Sequence, residues 1–357
     1  MSADNRIPAP GGDATVYRIV DANRNRCLEG LRVVEEFVRF VWEDQHLVTL
    51  CKQLRHDLVT ALGSVLPGDL HTARDVLRDV GTAVTTDTEY HREDLQSVVA
   101  ANWNRVQQAL RSLEEYAKVI APQAASQLEA LRYRAYTVER AVTVLSTSVE
   151  RLASARLYVL VDGRSSLSEF RQLVEQLIQG GVDVLQLRDK ALPDRELLGR
   201  ARALREMTRR HNILFIMNDR ADLAALAHAD GVHLGQNEIA VQDARVVVGL
   251  HALVGVSTHN IDQARQAVVD GANYLGCGPT FPSATKEFAE FPGLEFLRQV
   301  SREIRLPAFA IGGIGPANVE QVGAAGFSRV AVSHSVVNAA DPAQAIRQLK
   351  SMLPSPC

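Results

Sequence analysis

Cysteine is scarce: Cys27, Cys51, Cys277 and Cys357 are the only four in 357 residues, and none stands in a CxxC or other metal-ligand spacing. A disulfide scaffold or structural zinc is therefore not expected, and reduced thiols are the simple reading. The formal net charge of −3 lacks the basic excess that nucleic-acid binding needs. No run approaches the ~18 consecutive apolar residues of a membrane span, and no signal peptide is recognisable. At 46% hydrophobic the chain has enough apolar material for two cores. The expectation is a cytoplasmic protein with small-molecule partners, no nucleic acid and no membrane, with a homo-oligomer left open.

Glycine is nearly missing from the first half. After a tail at 1–13, expected to be disordered, residues 14–150 hold only Gly30, Gly63, Gly68 and Gly81. Apolar residues recur there at helical spacing, as in the stripe Leu28, Leu31, Val34, Val38 and Val41, which predicts an all-α domain. The stretch from Ala124 to Ala153 has neither Gly nor Pro, so a helix is expected to run into the second domain, 151–357.

The helical half contains an echo. Ala22-Asn23-Arg24-Asn25-Arg26, followed by Leu31-Arg32 and Glu35-Glu36, returns 79 residues later as Ala101-Asn102-Trp103-Asn104-Arg105, with Leu110-Arg111 and Glu114-Glu115. Asn25, Arg32 and Glu36 in one copy, and Asn104, Arg111 and Glu115 in the other, would share a helical face and could meet across a polar cleft. The alternative is an exposed ladder of i,i+4 charge pairs. Arg78-Asp79-Val80-Gly81-Thr82 is a further polar loop that could close over such a cleft. Neither GxxxxGK[ST] nor GxGxxG occurs in this half, so a nucleotide would need another kind of site.

From Leu157 to Ser333 a short apolar run, a polar or glycine-rich stop and an amphipathic stretch repeat eight times. The runs begin at Leu157, Val184, Ile213, Val232, Leu253, Tyr274, Ala308 and Val330. Strands alternating with helices predict a parallel sheet, and eight units predict an α/β fold closed into a (β/α)8 TIM barrel, with an open doubly wound sheet as the alternative. Reactive groups of such barrels gather at the C-terminal strand ends. Here those ends carry Arg188, a planar fork for phosphate oxygens, with Lys190 and Lys286 as point charges. Asp219 and Glu238 among these cations call for Mg2+ bridging carboxylate and phosphate oxygens. Gly312 and Gly313, with Val332 and Ser333, predict a second anion cup after strands seven and eight.

The motifs QLRDK (186–190), NDR (218–220), HLGQ (233–236), GVSTH (255–259), GPTFPSATK (278–286) and AIGGI (310–314) resemble those of thiamine phosphate synthases, over about residues 150 to 350. That family joins a hydroxymethylpyrimidine diphosphate to a thiazole phosphate with Mg2+, releasing diphosphate by a dissociative route. The resemblance implies that Gln186, Leu187, Arg188, Asp189, Lys190, Asn218, Ser257 and Lys286 hold the pyrimidine diphosphate. Arg188, Lys190, Lys286 and Ser257 would be catalytic, and Asp219 and Glu238 the metal ligands. Ser283, Ala284 and Thr285, with Gly313, Val332 and Ser333, would bind the thiazole phosphate. Glu238 stands where the family usually has Asp, and Ser283 where Thr is commoner.

The first half resembles a domain found fused to such synthases and associated with phosphorylating hydroxymethylpyrimidine phosphate. His233 and His334 are assigned no proton-transfer role. Two alternatives stand beside the synthase: a related barrel that tautomerises thiazole phosphate, and a non-catalytic sensor of a thiamine precursor.

Overall fold

The computed structural model describes residues 12–63, 91–282 and 292–354. The Arg78–Thr82 loop, Ser283, Ala284, Thr285, Lys286, Cys357 and nearly all of the 1–13 tail lie outside the described residues. The chain divides into two compact units, Met1–Glu139 and Arg140–Cys357.

The first unit is built from α1 (Gly12–Phe37), α2 (Gln45–Gly63), α3 (Leu95–Ile120) and the first part of α4 (Pro122–Arg151). A reciprocal cap starts α3: Asp94 Oδ1 accepts from Ser97 N at 2.7 Å, and Asp94 N donates to Ser97 Oγ at 3.2 Å. Such a cap stabilises a helix by about 1 kcal/mol. Leu31, Val34 and Val38 of the apolar stripe are buried, but Val41 is exposed. The cause is a π-helical turn at Val38–Trp42, which widens the spiral and rotates Val41 off the buried face before Glu43 ends it at φ 53°.

The 79-residue echo is a repeat of buried positions. Val20, Asn23, Cys27, Leu31, Val34 and Glu35 of α1 are matched by Val99, Asn102, Val106, Leu110, Leu113 and Glu114 of α3, all buried, and the two helices pack on each other. The repeat continues into the next helices, where Leu47, Cys51, Leu54 and Leu58 of α2 correspond to Ala124, Leu128, Leu131 and Ala135 of α4. The offset there shrinks to 77, two fewer residues separating the matched positions of the second copy, where Ala121 alone joins α3 to α4.

The second unit is a closed, all-parallel barrel with its strands in chain order. Its elements run β1 (Leu157–Val161), α5 (Leu167–Gly180), β2 (Val184–Leu187), α6 (Asp194–Arg209), β3 (Leu214–Asn218), α7 (Ala221–Leu226), β4 (Gly231–Leu234) and α8 (Val241–Val248). They continue as β5 (Leu253–Thr258), α9 (Ile261–Asp270), β6 (Tyr274–Cys277), α10 (Gly293–Glu303), β7 (Ala308–Ile311), α11 (Val319–Ala324), β8 (Val330–Val332), α12 (His334–Val337) and α13 (Pro342–Met352). The eightfold pattern thus closes as a TIM barrel rather than opening into a doubly wound sheet.

Alternate residues of each strand point inward. Tyr158, Val184, Ile216, Leu253, Tyr274, Phe309 and Ala331 meet inside, and Leu152 and Ala155, just before β1, pack against the same cluster. Tyr158 and Tyr274 both stand edge-on to Phe309, with centroids 5.2 and 5.7 Å away. Each such ring pair contributes about 0.5–1.5 kcal/mol beyond its burial. The interior is therefore packed solid below its C-terminal rim, and only the rim can accept a ligand.

Candidate active site

Beyond the aromatic layer, the same alternation brings Gln186 and Ser257 into the barrel and sends Leu187 and Val332 to the outer face of the wall, where they are buried. Leu187 and Val332 can therefore offer a ligand only backbone atoms. The register sets Asn218 of β3 beside His233 of β4, and His233 beside Gly255 of β5. His233 Nε2 lies 2.9 Å from Ser257 Oγ and Nδ1 lies 3.2 Å from the Tyr274 hydroxyl. Desolvation lowers the imidazole to about 4, against the opposing charge of Asp219, so it is neutral near pH 7.

Loops from neighbouring strands are tied together all round the rim. Asp189 accepts from Gly163 N at 3.0 Å, Lys190 Nζ lies 3.4 Å from Asp219 Oδ2, and Asp219 N donates to His233 O at 2.8 Å. Gln236 bonds the Ser257 carbonyl, His259 bonds the Gly278 carbonyl, and Phe281 N donates to Gly312 O at 3.0 Å. Ser335 donates to Ile314 O at 2.9 Å and Ser333 to Leu160 O at 3.0 Å, which closes the ring.

Within that ring the charged residues differ in how they are engaged. Arg188 is half-buried, and among the described residues no carboxylate or carbonyl takes its guanidinium, so its fork is open to an anion. Lys190 is mostly exposed and among the described residues pairs with Asp219, which sits at φ 58°. Arg220, the third residue of the NDR motif, is not a site cation: it bonds Asp194 at 2.6 and 3.1 Å and Asp222 at 2.7 and 2.9 Å. Glu238 is exposed on the turn after β4.

Asp189, expected as a substrate contact, has its carboxylate taken by the protein. One oxygen accepts from Ala191 N at 2.8 Å and Leu192 N at 3.0 Å, the other from Gly163 N. Burial opposes its ionisation, but these backbone donors outweigh burial and hold the carboxyl below the usual range. The side chain shapes the loop that carries Arg188 and Lys190.

On the opposite part of the rim, Gly312 and Gly313 adopt φ of 102° and 63°. A Cβ on Gly313 would lie 2.6 Å from Pro282 O and 2.8 Å from Phe281 O, so only glycine lets the β6 and β7 loops approach. Asn318 locks that loop by donating to Gly313 O at 2.8 Å and accepting from Gly315 N at 2.9 Å. Gly313→Ala is expected to raise KM for a phosphate-bearing substrate roughly 10- to 100-fold, the cost of charged hydrogen bonds lost when the loops part. Steady-state kinetics with each substrate varied in turn checks this; an unchanged KM would place the phosphate elsewhere.

The polar cleft expected in the helical unit is corrected. Arg32 bonds Glu36 at 2.9 Å and Arg111 bonds Glu115 at 2.7 Å, each along its own helix and on an exposed face. Asn104 is exposed, and Asn25 donates to Asp21 of its own helix at 3.3 Å. The four charged side chains form surface ladders, and neither asparagine joins them. The interior polar groups are their neighbours: Asn23 and Asn102, each donating to the carbonyl four residues back, and the carboxylates Glu35 and Glu114. Glu35 pairs with Arg55 of α2 and Glu114 with Arg132 of α4, both at 2.9 Å. The doubled Glu-Glu in each copy was the available signal, and the buried member is the first.

Comparison with known proteins identifies the family. Residues 157–336 match the model of the thiamine monophosphate synthase family. The chain belongs to that family. Residues 18–141 match the ThiD2 family. A thiamine-phosphate synthase of Rhodopirellula baltica is 46% identical over 328 residues, 89% of this chain and 88% of its own. One from Gloeobacter violaceus is 43% identical over 330 residues, 92% and 94% of the two chains. Among solved structures, a thiamine phosphate pyrophosphorylase from Pyrococcus furiosus is 33% identical with a TM-score of 0.51, covering 56% of this chain and 95% of that one. As a thiamine monophosphate synthase family member, the chain is a transferase of thiamine biosynthesis. No helix among the described residues is long and apolar enough to cross a membrane.

Proposed function

We propose that the barrel condenses 4-amino-2-methyl-5-(diphosphooxymethyl)pyrimidine with 4-methyl-5-(2-phosphoethyl)thiazole, giving thiamine phosphate and diphosphate. The observation that carries this is the open guanidinium of Arg188 beside the Lys190–Asp219 pair, at one rim with Gln186, Asn218 and Ser257. As the bond from the pyrimidine methylene to diphosphate breaks, negative charge grows on the leaving group. Arg188 and Lys190, with Lys286, stabilise that charge where it develops. The ring's amino group delocalises the cation left behind, so no protein nucleophile is required. Burial raises Cys277 to about 12, which keeps that thiol out of the chemistry. The site's remaining work is to hold the thiazole nitrogen against the carbon, with its phosphate at Gly313 and Ser333.

Asp219 and Glu238 fit Mg2+ by the chemistry of their donors, since this ion binds through one or two carboxylates plus substrate phosphates. When bound there it would neutralise diphosphate charge. Glu238→Gln is expected to lower turnover strongly at limiting Mg2+ and much less at saturation. Identical rates across a Mg2+ titration would remove Glu238 from the site.

The helical unit is proposed to phosphorylate hydroxymethylpyrimidine phosphate, so that one chain makes the diphosphate and consumes it. The match to the ThiD2 family supports this reading. Full-length protein given both substrates and Mg2+ should release diphosphate, which neither a tautomerase nor a sensor does. Given ATP, the pyrimidine monophosphate and the thiazole phosphate instead, it should form thiamine phosphate and ADP. Thiamine phosphate from the first mixture only would leave the helical unit without the kinase role.

A further inference from the structure

A line of hydrogen bonds crosses the barrel interior from β2 to β5. Gln186 Nε2 donates to the Tyr158 hydroxyl at 2.7 Å, which lies 3.1 Å from the Tyr274 hydroxyl. That hydroxyl in turn lies 3.2 Å from His233 Nδ1, and His233 Nε2 lies 2.9 Å from Ser257 Oγ. Gln186, Tyr158 and Tyr274 are each no more than 2% exposed, so their hydrogen bonds must be made with one another. The Tyr274 ring lies over Gly255, where a Cβ would come within 2.1 Å of Tyr274 Cζ; the glycine that opens the GVSTH motif makes room for it.

Each hydroxyl owns one proton, and that fixes the sense of the whole line. With the Gln186 amide donating, Tyr158 gives its proton to Tyr274, and Tyr274 gives its own to His233 Nδ1. The imidazole then carries its proton on Nε2 and donates to Ser257 Oγ. The Ser257 proton is left free to point into the mouth. At the other end, Gln186 Oε1 is buried with no partner among the described residues. Reversing any one bond forces all the others to reverse.

We propose that Tyr158, Tyr274 and His233 are positioning residues that set the hydrogen-bond sense of the pyrimidine subsite, holding Gln186 Oε1 as an acceptor and the Ser257 hydroxyl as a donor. This rests on the synthase reading given above. An aminopyrimidine presents the matching edge, with N–H on its exocyclic nitrogen and a lone pair on its ring nitrogen. A ring with a carbonyl beside an N–H presents the reverse and fits only the reversed line. Sites built on such pairs reject the mismatched ring because it leaves buried polar groups unpaired.

The full chain labelled with 15N-histidine tests this without turnover. The imidazole of His233, assigned by its loss in His233→Asn, is expected as the Nε2–H tautomer. Tyr274→Phe removes the donor to Nδ1 and is expected to give a tautomer mixture. With it, kcat/KM for the aminopyrimidine diphosphate should fall roughly 10- to 100-fold, and preference over the oxo-pyrimidine analogue should shrink by a like factor. Tyr158→Phe cuts the line at its Gln186 end and serves as a second variant should Tyr274→Phe fold poorly. An Nδ1–H tautomer in the native chain overturns the proposal, as do variants that leave tautomer and preference unchanged. An Nε2–H tautomer in a chain that releases no diphosphate upholds the sense of the line and sinks the synthase reading instead.

Discussion

Arg188→Met is expected to lower kcat about 10²- to 10³-fold, the usual effect of deleting one preorganised group from a site of developing charge. The physical reason is the uneven use of the rim's charged groups. Arg220 is held by two carboxylates and Lys190 by Asp219, whereas the half-buried guanidinium of Arg188 has no partner among the described residues. Its fork is therefore free to bind two oxygens of the diphosphate at once, and to bind them more strongly as charge accumulates there. Because no partner among the described residues is lost, the melting temperature should stay within about a degree or two, as for surface substitutions away from special features. Arg188→Lys should recover only part of the rate, since an ammonium lacks the planar fork. Paired measurements of kcat and thermal unfolding decide the matter. A rate within twofold of wild type, or a variant that is simply unstable, would show that Arg188 supports the fold and not the reaction.

The barrel was legible because its signal is repetitive: eight apolar runs, each stopped by polar residues at the rim, leave little else to build. Motif positions also distinguished the inward Gln186 and Ser257 from featureless strand, although the motif alone could not separate them from Leu187, which shares the QLRDK string and faces the other way. The partners of Asp189 were illegible for a related reason. The family resemblance counts it among the pyrimidine diphosphate contacts, but its three backbone donors come partly from another strand's loop, at Gly163, and only the closed barrel brings that loop near. In the helical half, period alone predicts which residues share a face but not which face is buried. Asn25 and Asn23 are two residues apart and so lie on opposite faces, and the longer polar stripe drew attention to the exposed one. The π-helical turn at Val38–Trp42, which removes Val41 from the core, has no signal in apolar spacing at all.

The buried carboxylates of the repeat make the largest stability prediction. Glu114→Ala is expected to destabilise the helical unit by about 3–5 kcal/mol, the cost of leaving one member of a buried ion pair behind. Arg132 is only 10% exposed and Glu114 only 4%. A guanidinium cannot escape by losing its proton, and with Glu114 gone its remaining partners are the Tyr136 hydroxyl at 3.4 Å, Glu129 at 4.0 Å and the face of Tyr133 at 4.7 Å. The repeat supplies an internal control. Glu35 is buried equally well, but its partner Arg55 is 30% exposed and can turn to water, so Glu35→Ala should cost less, about 1.5–3 kcal/mol. Replacing Glu114 and Arg132 together by leucine and methionine should restore most of the loss, because the charge is then no longer stranded. The chain's two tryptophans, Trp42 and Trp103, both belong to the helical unit, so tryptophan fluorescence during urea unfolding follows that unit and not the barrel. A Glu114→Ala transition shifted by less than 1 kcal/mol, or Glu35→Ala proving the costlier change, would mean that exposure of the arginine does not govern these pairs.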